Sequence, residues 1–130
     1  MYYEGHHGVD VNLKKAIAWY EKAAEQGDAE AQNNLGFAYD DGRGVDVNYK
    51  KAIEWYKKAA EQGHANAQYN LGVMYEHGQG VNQDDSMAMR WFVQAAAQGD
   101  EGAQGRIGII LARRRKSTST AGTGTGGNRR

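Results

Sequence analysis

The chain has 130 residues, no cysteine, no proline and a formal net charge of zero. The lack of cysteine excludes a disulfide framework and a thiolate metal site, and no apolar run approaches the roughly 20 residues of a transmembrane helix. The zero charge hides an asymmetry: residues 113–130 hold six Arg/Lys and no acid, so residues 1–112 hold 10 bases against 16 acids, or −6. An acidic body of this kind is a poor partner for a phosphate backbone, and no nucleic-acid partner is expected. The opening MYYEGHHGVD lacks the basic-then-apolar pattern of a signal peptide. A soluble chain is expected, with its compartment left open.

Taken in order, residues 1–8 read as the end of a helix and its exit loop, because Tyr3 and Gly8 stand 36 residues before Tyr39 and Gly44. Residues 12–26 follow the i, i+3, i+4, i+7 rule through Leu13, Ala16, Ile17, Tyr20, Ala23 and Ala24, with Trp19 widening the apolar stripe. Asn12 is the predicted N-cap, and Gly27 the predicted positive-φ stop. A second helix is predicted over 29–40, with Ala31, Leu35, Ala38 and Tyr39 as its stripe. Gly36 inside that helix costs about 1 kcal/mol against Ala. The cost recurs at Gly72 and Gly108, which predicts a packing reason, the close approach of a neighbouring helix. The loop DDGRGV, 40–45, turns the chain and recurs as EHGQGV, 76–81.

Residues 48–62 and 65–76 repeat the helix pair. Trp19, Trp55 and Trp91 mark the 36-residue period, as do Gly27, Gly63 and Gly99. Residues 12–47 and 48–83 are identical at 23 of 36 positions, whereas 84–111 match 48–75 at only 9 of 28. A fixed period in this range means a supersecondary unit stacked on copies of itself. Asp84 is the predicted cap of the helix over 86–98, and the last helix, from residue 101, carries Gly102, Gly105 and Gly108. From Lys116 on, STSTAGTGTGGNRR has no apolar period and is expected to be a disordered, basic tail.

The unit KAIEWYKKAAEQGHANAQYNLGVMYEHGQGV, 51–81, resembles the Sel1-like repeat, a relative of the tetratricopeptide repeat. The resemblance covers residues 1 to about 111 and departs from the pattern at Leu111, Phe92 and Met87. It implies an all-α, right-handed superhelical solenoid of helix–turn–helix units. In the family's framing, complete repeats run 28–63 and 64–99, with a partial repeat over 1–27 and a capping helix over 100–115. It also implies a non-catalytic adaptor or scaffold for a protein or peptide partner, without a cofactor. The alternative is a regulatory or targeting segment of a larger enzyme or membrane-anchored protein. A cysteine-rich bacterial branch of the family has been associated with β-lactam binding; this chain has no cysteine, so nothing supports placing it there.

In tetratricopeptide-type stacks the first helix of each unit lines a concave groove. Placed on that pattern, the positions outside the packing stripe form ladders at the 36-residue step: Glu30 and Asn66; Asn33 and Tyr69; Phe37 and Val73; Asp40 and Glu76; Asp41 and His77. This predicts a trough with an apolar floor (Phe37, Val73) and an acidic wall (Asp40, Asp41, Glu76). Tyr69 and Phe37 are the expected anchors, since stiff aromatics dominate binding when buried, and Asn33 is expected to hold a peptide backbone. A partner of basic character fits this wall, although the same carboxylates also fit a solvated face. Apolar ends at Tyr2, Tyr3 and Ile109–Leu111 add an expectation of end-to-end self-association.

Other chemistry finds little support. His6 and His7 are adjacent, and His64 and His77 lie 13 apart, which is not metal-ligand spacing. Gly122, Gly124 and Gly127 match a dinucleotide fingerprint formally, but no strand precedes them and no helix follows. No Ser-His-Asp set is readable.

Overall fold

The computed structural model describes the backbone of residues 2–124 and the side chains of residues 12–116. Six helices follow one another: α1 (Tyr2–Glu25), α2 (Ala29–Asp41), α3 (Tyr49–Glu61), α4 (Ala65–His77), α5 (Asp85–Ala97) and α6 (Glu101–Gly124). Each packs chiefly on its neighbours in the chain, as a stack of local units must.

The caps are repetitive, and they explain the four inner helices. Asp28, Asn48, His64 and Asp84 each accept a bond from the backbone amide three residues on, at 2.9, 3.1, 3.2 and 3.0 Å. α2 and α4 stop at Gly42 (φ 73°) and Gly78 (φ 68°), left-handed residues whose amides return to Ala38 and Met74. At the 36-residue step these two glycines correspond to His6 and Arg114. Neither residue favours the left-handed stop.

This corrects two sequence-based expectations. α1 runs unbroken through residues 8–11, so no exit loop forms there, and Asn12 lies inside the helix instead of capping it. At the other end α6 runs from Glu101 to Gly124. Once a helix is nucleated each further residue adds a bond, and the chain has no proline to interrupt it. Residues 125–130 lie outside the described residues.

The core is a row of three apolar clusters. Leu35 with Ile17 and Ala24 makes the first; Tyr56 with Ala52, Leu71 and Met74 the second; Phe92 with Ala88, Ala103 and Ile110 the third. The mid-helix glycines show how these are reached. A Cβ on Gly36 would lie 2.6 Å from Tyr56 Cδ1, and one on Gly72 would lie 2.6 Å from Phe92 Cε1. An aromatic ring from the next helix occupies the space a side chain would take. Gly108 differs, because nothing lies within 4 Å of the corresponding point. The tryptophans follow the same logic. Trp55 packs against the first cluster and Trp91 against the second, but Trp19 is 73% exposed and does not widen the buried stripe of α1.

Gly36→Ala is therefore expected to destabilise the fold by about 1–3 kcal/mol through overpacking, despite the better helix propensity of Ala. Gly108→Ala is expected to stabilise it by up to about 1 kcal/mol. Urea denaturation of the two variants at low protein concentration checks the opposite signs.

Candidate functional site

α2, α4 and α6 meet along one face through their side chains. Glu30 Oε1 and His64 Nε2 are 2.9 Å apart, and Asn70 Nδ2 donates to Asn33 Oδ1 at 3.0 Å. Arg106 Nε donates to Glu76 Oε1 at 3.0 Å, and a second bond joins Arg106 Nη2 to Glu76 Oε2. Arg113 Nη1 reaches the same carboxylate at 3.2 Å and also bonds Asp85.

These contacts sort the ten predicted groove residues. Glu30, Phe37, Asp41, Asn66 and His77 are exposed, and Asp40, Tyr69 and Val73 are half-buried. Asn33 and Glu76 are buried, at 8% and 4% exposure. The side-chain oxygen of Asn33 accepts from Asn70, so that acceptor is already taken. Glu76 belongs to no acidic wall: α6 presents Arg106 where α2 and α4 have Asn34 and Asn70, and that arginine folds over the carboxylate. Tyr69 packs its ring 5.7 Å from that of Phe92, so much of this expected anchor is spent on the protein's own third cluster.

The rest of the acidic wall is also engaged. Tyr56 Oη donates to Asp40 Oδ2 at 3.1 Å, and Arg43 Nε donates to Asp41 Oδ2 at 2.8 Å. Burial raises the Asp40 carboxyl above its usual range; the Tyr56 bond opposes this and the Asp41 charge adds to it. Burial likewise pushes the Tyr56 phenol far up, reinforced by Asp40. For Glu76 burial also acts upward, but the bonds and charge of Arg106, aided by His77 and Arg113, outweigh it and hold the carboxyl low.

Phe37 lies on the surface. It is 44% exposed, and the Arg43 guanidinium stacks 5.5 Å from its ring centroid. It stands beside a cleft of about 130 Å³ between α1 and α2, lined also by Leu13, Ile17, Tyr20, Asn34 and Ala38. Among the described residues no three of His, Cys, Asp and Glu converge as a metal site. No helix there is long and apolar enough to cross a membrane.

Two features were missed from sequence. One is the glutamine relay, in which Gln62 Nε2 donates to Gln32 Oε1 at 2.8 Å and Gln98 Nε2 to Gln68 Oε1 at 2.9 Å. Its signal was present, since Gln26, Gln62 and Gln98, like Gln32, Gln68 and Gln104, keep the 36-residue step. The other is the Arg106–Glu76 pair, signalled only by opposite charges 30 residues apart.

A stack of capped helix pairs, each unit closed by the next, defines an α-helical repeat protein. The Sel1 repeat pattern matches residues 1–28, 29–64 and 65–100, and the chain belongs to the Sel1 repeat family. Among solved structures it is similar to c5321, a protective antigen of uropathogenic Escherichia coli with an SLR fold (39% identity, TM-score 0.76, covering 77% of this chain and 21% of that one). It is also similar to a Sel1 repeat protein from Oxalobacter formigenes (43% identity, TM-score 0.72, 75% and 39% covered). Helicobacter pylori cysteine rich protein B matches at 28% identity and TM-score 0.65, with 68% and 67% covered. The chain thus spans 21% and 39% of the lengths of the first two. No curated protein sequence matches it.

Removing Arg106 leaves Glu76 buried with only the more exposed Arg113. Arg106→Ala is expected to cost about 2–3 kcal/mol, below the range for a fully buried pair because Arg113 and solvent compensate in part. The pH dependence follows from the lowered carboxyl: its stabilisation is full above the ordinary carboxylate range and is lost as pH falls through the depressed folded value. Thermal melts of the wild type and of Glu76→Gln between neutral and acid pH check this, the wild type losing its advantage on acidification.

Proposed function

We propose that this chain is a non-catalytic protein–protein interaction scaffold that takes a peptide or protein segment along the face of α2, α4 and α6. The observation that carries this is Phe37, an exposed aromatic stacked by Arg43 at the mouth of a cleft sized for one apolar side chain. Placing an apolar side chain there adds to the area taken from water, and the guanidinium already limits the ring's freedom. The ionisable groups of this face are tied in structural bonds, which supports a binding role over a catalytic one. Repeats of this family generally mediate protein interactions, which supports the same reading.

The groove in this proposal keeps Glu30, Phe37, Asp40, Asp41, Asn66, Tyr69, Val73 and His77, and releases Asn33 and Glu76. Its remaining carboxylates, Glu30, Asp40 and Asp41, favour a partner with basic residues flanking an apolar anchor. A peptide array that varies an apolar residue within basic or acidic flanks tests both features. Binding is expected to favour basic flanks and to weaken about tenfold in Phe37→Ala, as for loss of a modest aromatic hot spot. A preference for acidic flanks, or indifference to Phe37→Ala, overturns the reading.

A further inference from the structure

Two joints of the stack are built alike, α2 with α3 and α4 with α5. In each, a glycine receives an aromatic ring: Gly36 takes Tyr56 and Gly72 takes Phe92. In each, a buried glutamine accepts a bond from a glutamine at the far end of the next helix. In each, a tryptophan of the next helix reaches back to the preceding cluster.

One step further along, the receiving half of this joint is present without its donor among the described residues. Gly108 is open, Gln104 is exposed where Gln32 and Gln68 are buried, and Leu111 is 45% exposed. One step earlier, the donating half is present without a receiver. Trp19 is exposed where Trp55 and Trp91 are packed, Tyr20 and Ala16 are half-buried where Tyr56 and Ala52 are fully buried, and Gln26 is exposed. The donor is close to the helix that fits such a seat: residues 12–26 are identical to 48–62 at 12 of 15 positions.

The geometry points to a second copy of this chain as the occupant: α6 of one molecule receives α1 of another as α2 receives α3. Tyr20 lies over Gly108, Gln26 donates to Gln104, and Trp19 packs toward the third cluster. The helices of such a joint are antiparallel, since the start of α3 bonds back to the end of α2 through Asn48 N and Tyr39 O. The pairing therefore runs α6 of one molecule and α1 of the other in opposite directions, with Arg114 and Arg115 beyond the seat. Ala112 stands where Asp40 takes the Tyr56 hydroxyl, so Tyr20 contributes its ring without that bond. Unlike surfaces meet in this contact, so each added copy leaves both kinds of end free and growth is open-ended. This goes beyond the peptide groove and borders it only at Ala16 and Tyr20. The variants below leave every groove residue in place, so either proposal can fail alone.

Sedimentation velocity of the 130-residue chain over a concentration series is the test. The wild type is expected to form dimers and larger species as concentration rises. Trp19→Glu removes the donor and Gly108→Arg blocks the seat, and each alone is expected to weaken association at least about tenfold, since each sets a charge against apolar surface. An equimolar mixture of the two is expected to give a dimer that grows no further, because each supplies the half the other lacks. Circular dichroism confirms helical content, and Gln26→Lys with Gln104→Lys replaces any variant that loses it. A wild type monomeric to about millimolar concentration (Kd weaker than about 1 mM), variants that assemble like the wild type, or a mixture that stays monomeric overturns the proposal.

Discussion

The contact on which the stack depends is an aromatic ring set on a bare stretch of helix backbone. Tyr56 on Gly36 and Phe92 on Gly72 let successive helices approach closer than any side chain would allow. Each glycine costs helix propensity, and each ring recovers it by complete burial. The capping residues and the glutamine relay then follow from that spacing. With the helices so near, the side-chain amide of Gln32 bonds both the Ala24 carbonyl and Gln62, so a buried polar group is fully used.

The repeat architecture was legible because its determinants are local and recur. Spacing alone exposes the cap at Asp84, the stop at Gly27 and the meaning of Gly36. The first helix was misjudged for a related reason. The period invites each copy to be read as complete, so residues 1–8 inherit a loop from 37–44. The stop itself sits on one residue per copy, and His6 and Arg114 are not glycine.

The groove was partly legible. A helix pattern says which residues leave the packing stripe, and Phe37, Asn66 and His77 are exposed as it implies. It does not say which of them another helix will claim. Asn33 and Glu76 are claimed by Asn70 and Arg106, contacts made across the stack between residues 37 and 30 apart. Such pairs depend on the sideways distance between repeats, which no single helix encodes. The relatives in Escherichia coli and Oxalobacter formigenes share the frame at 39% and 43% identity, and a shared frame does not by itself fix what is bound.

Asp40 and Glu76 hold the same place in successive repeats, yet one carboxyl is raised and the other lowered. The charged form of Asp40 is disfavoured in the folded chain, so taking up a proton relieves that repeat; the same proton strips Glu76 of its hold on Arg106 and Arg113. Acidification thus acts in opposite directions on two successive repeats. Amide exchange would lose its protection first in α6 and the end of α4, while the α2–α3 joint stayed closed.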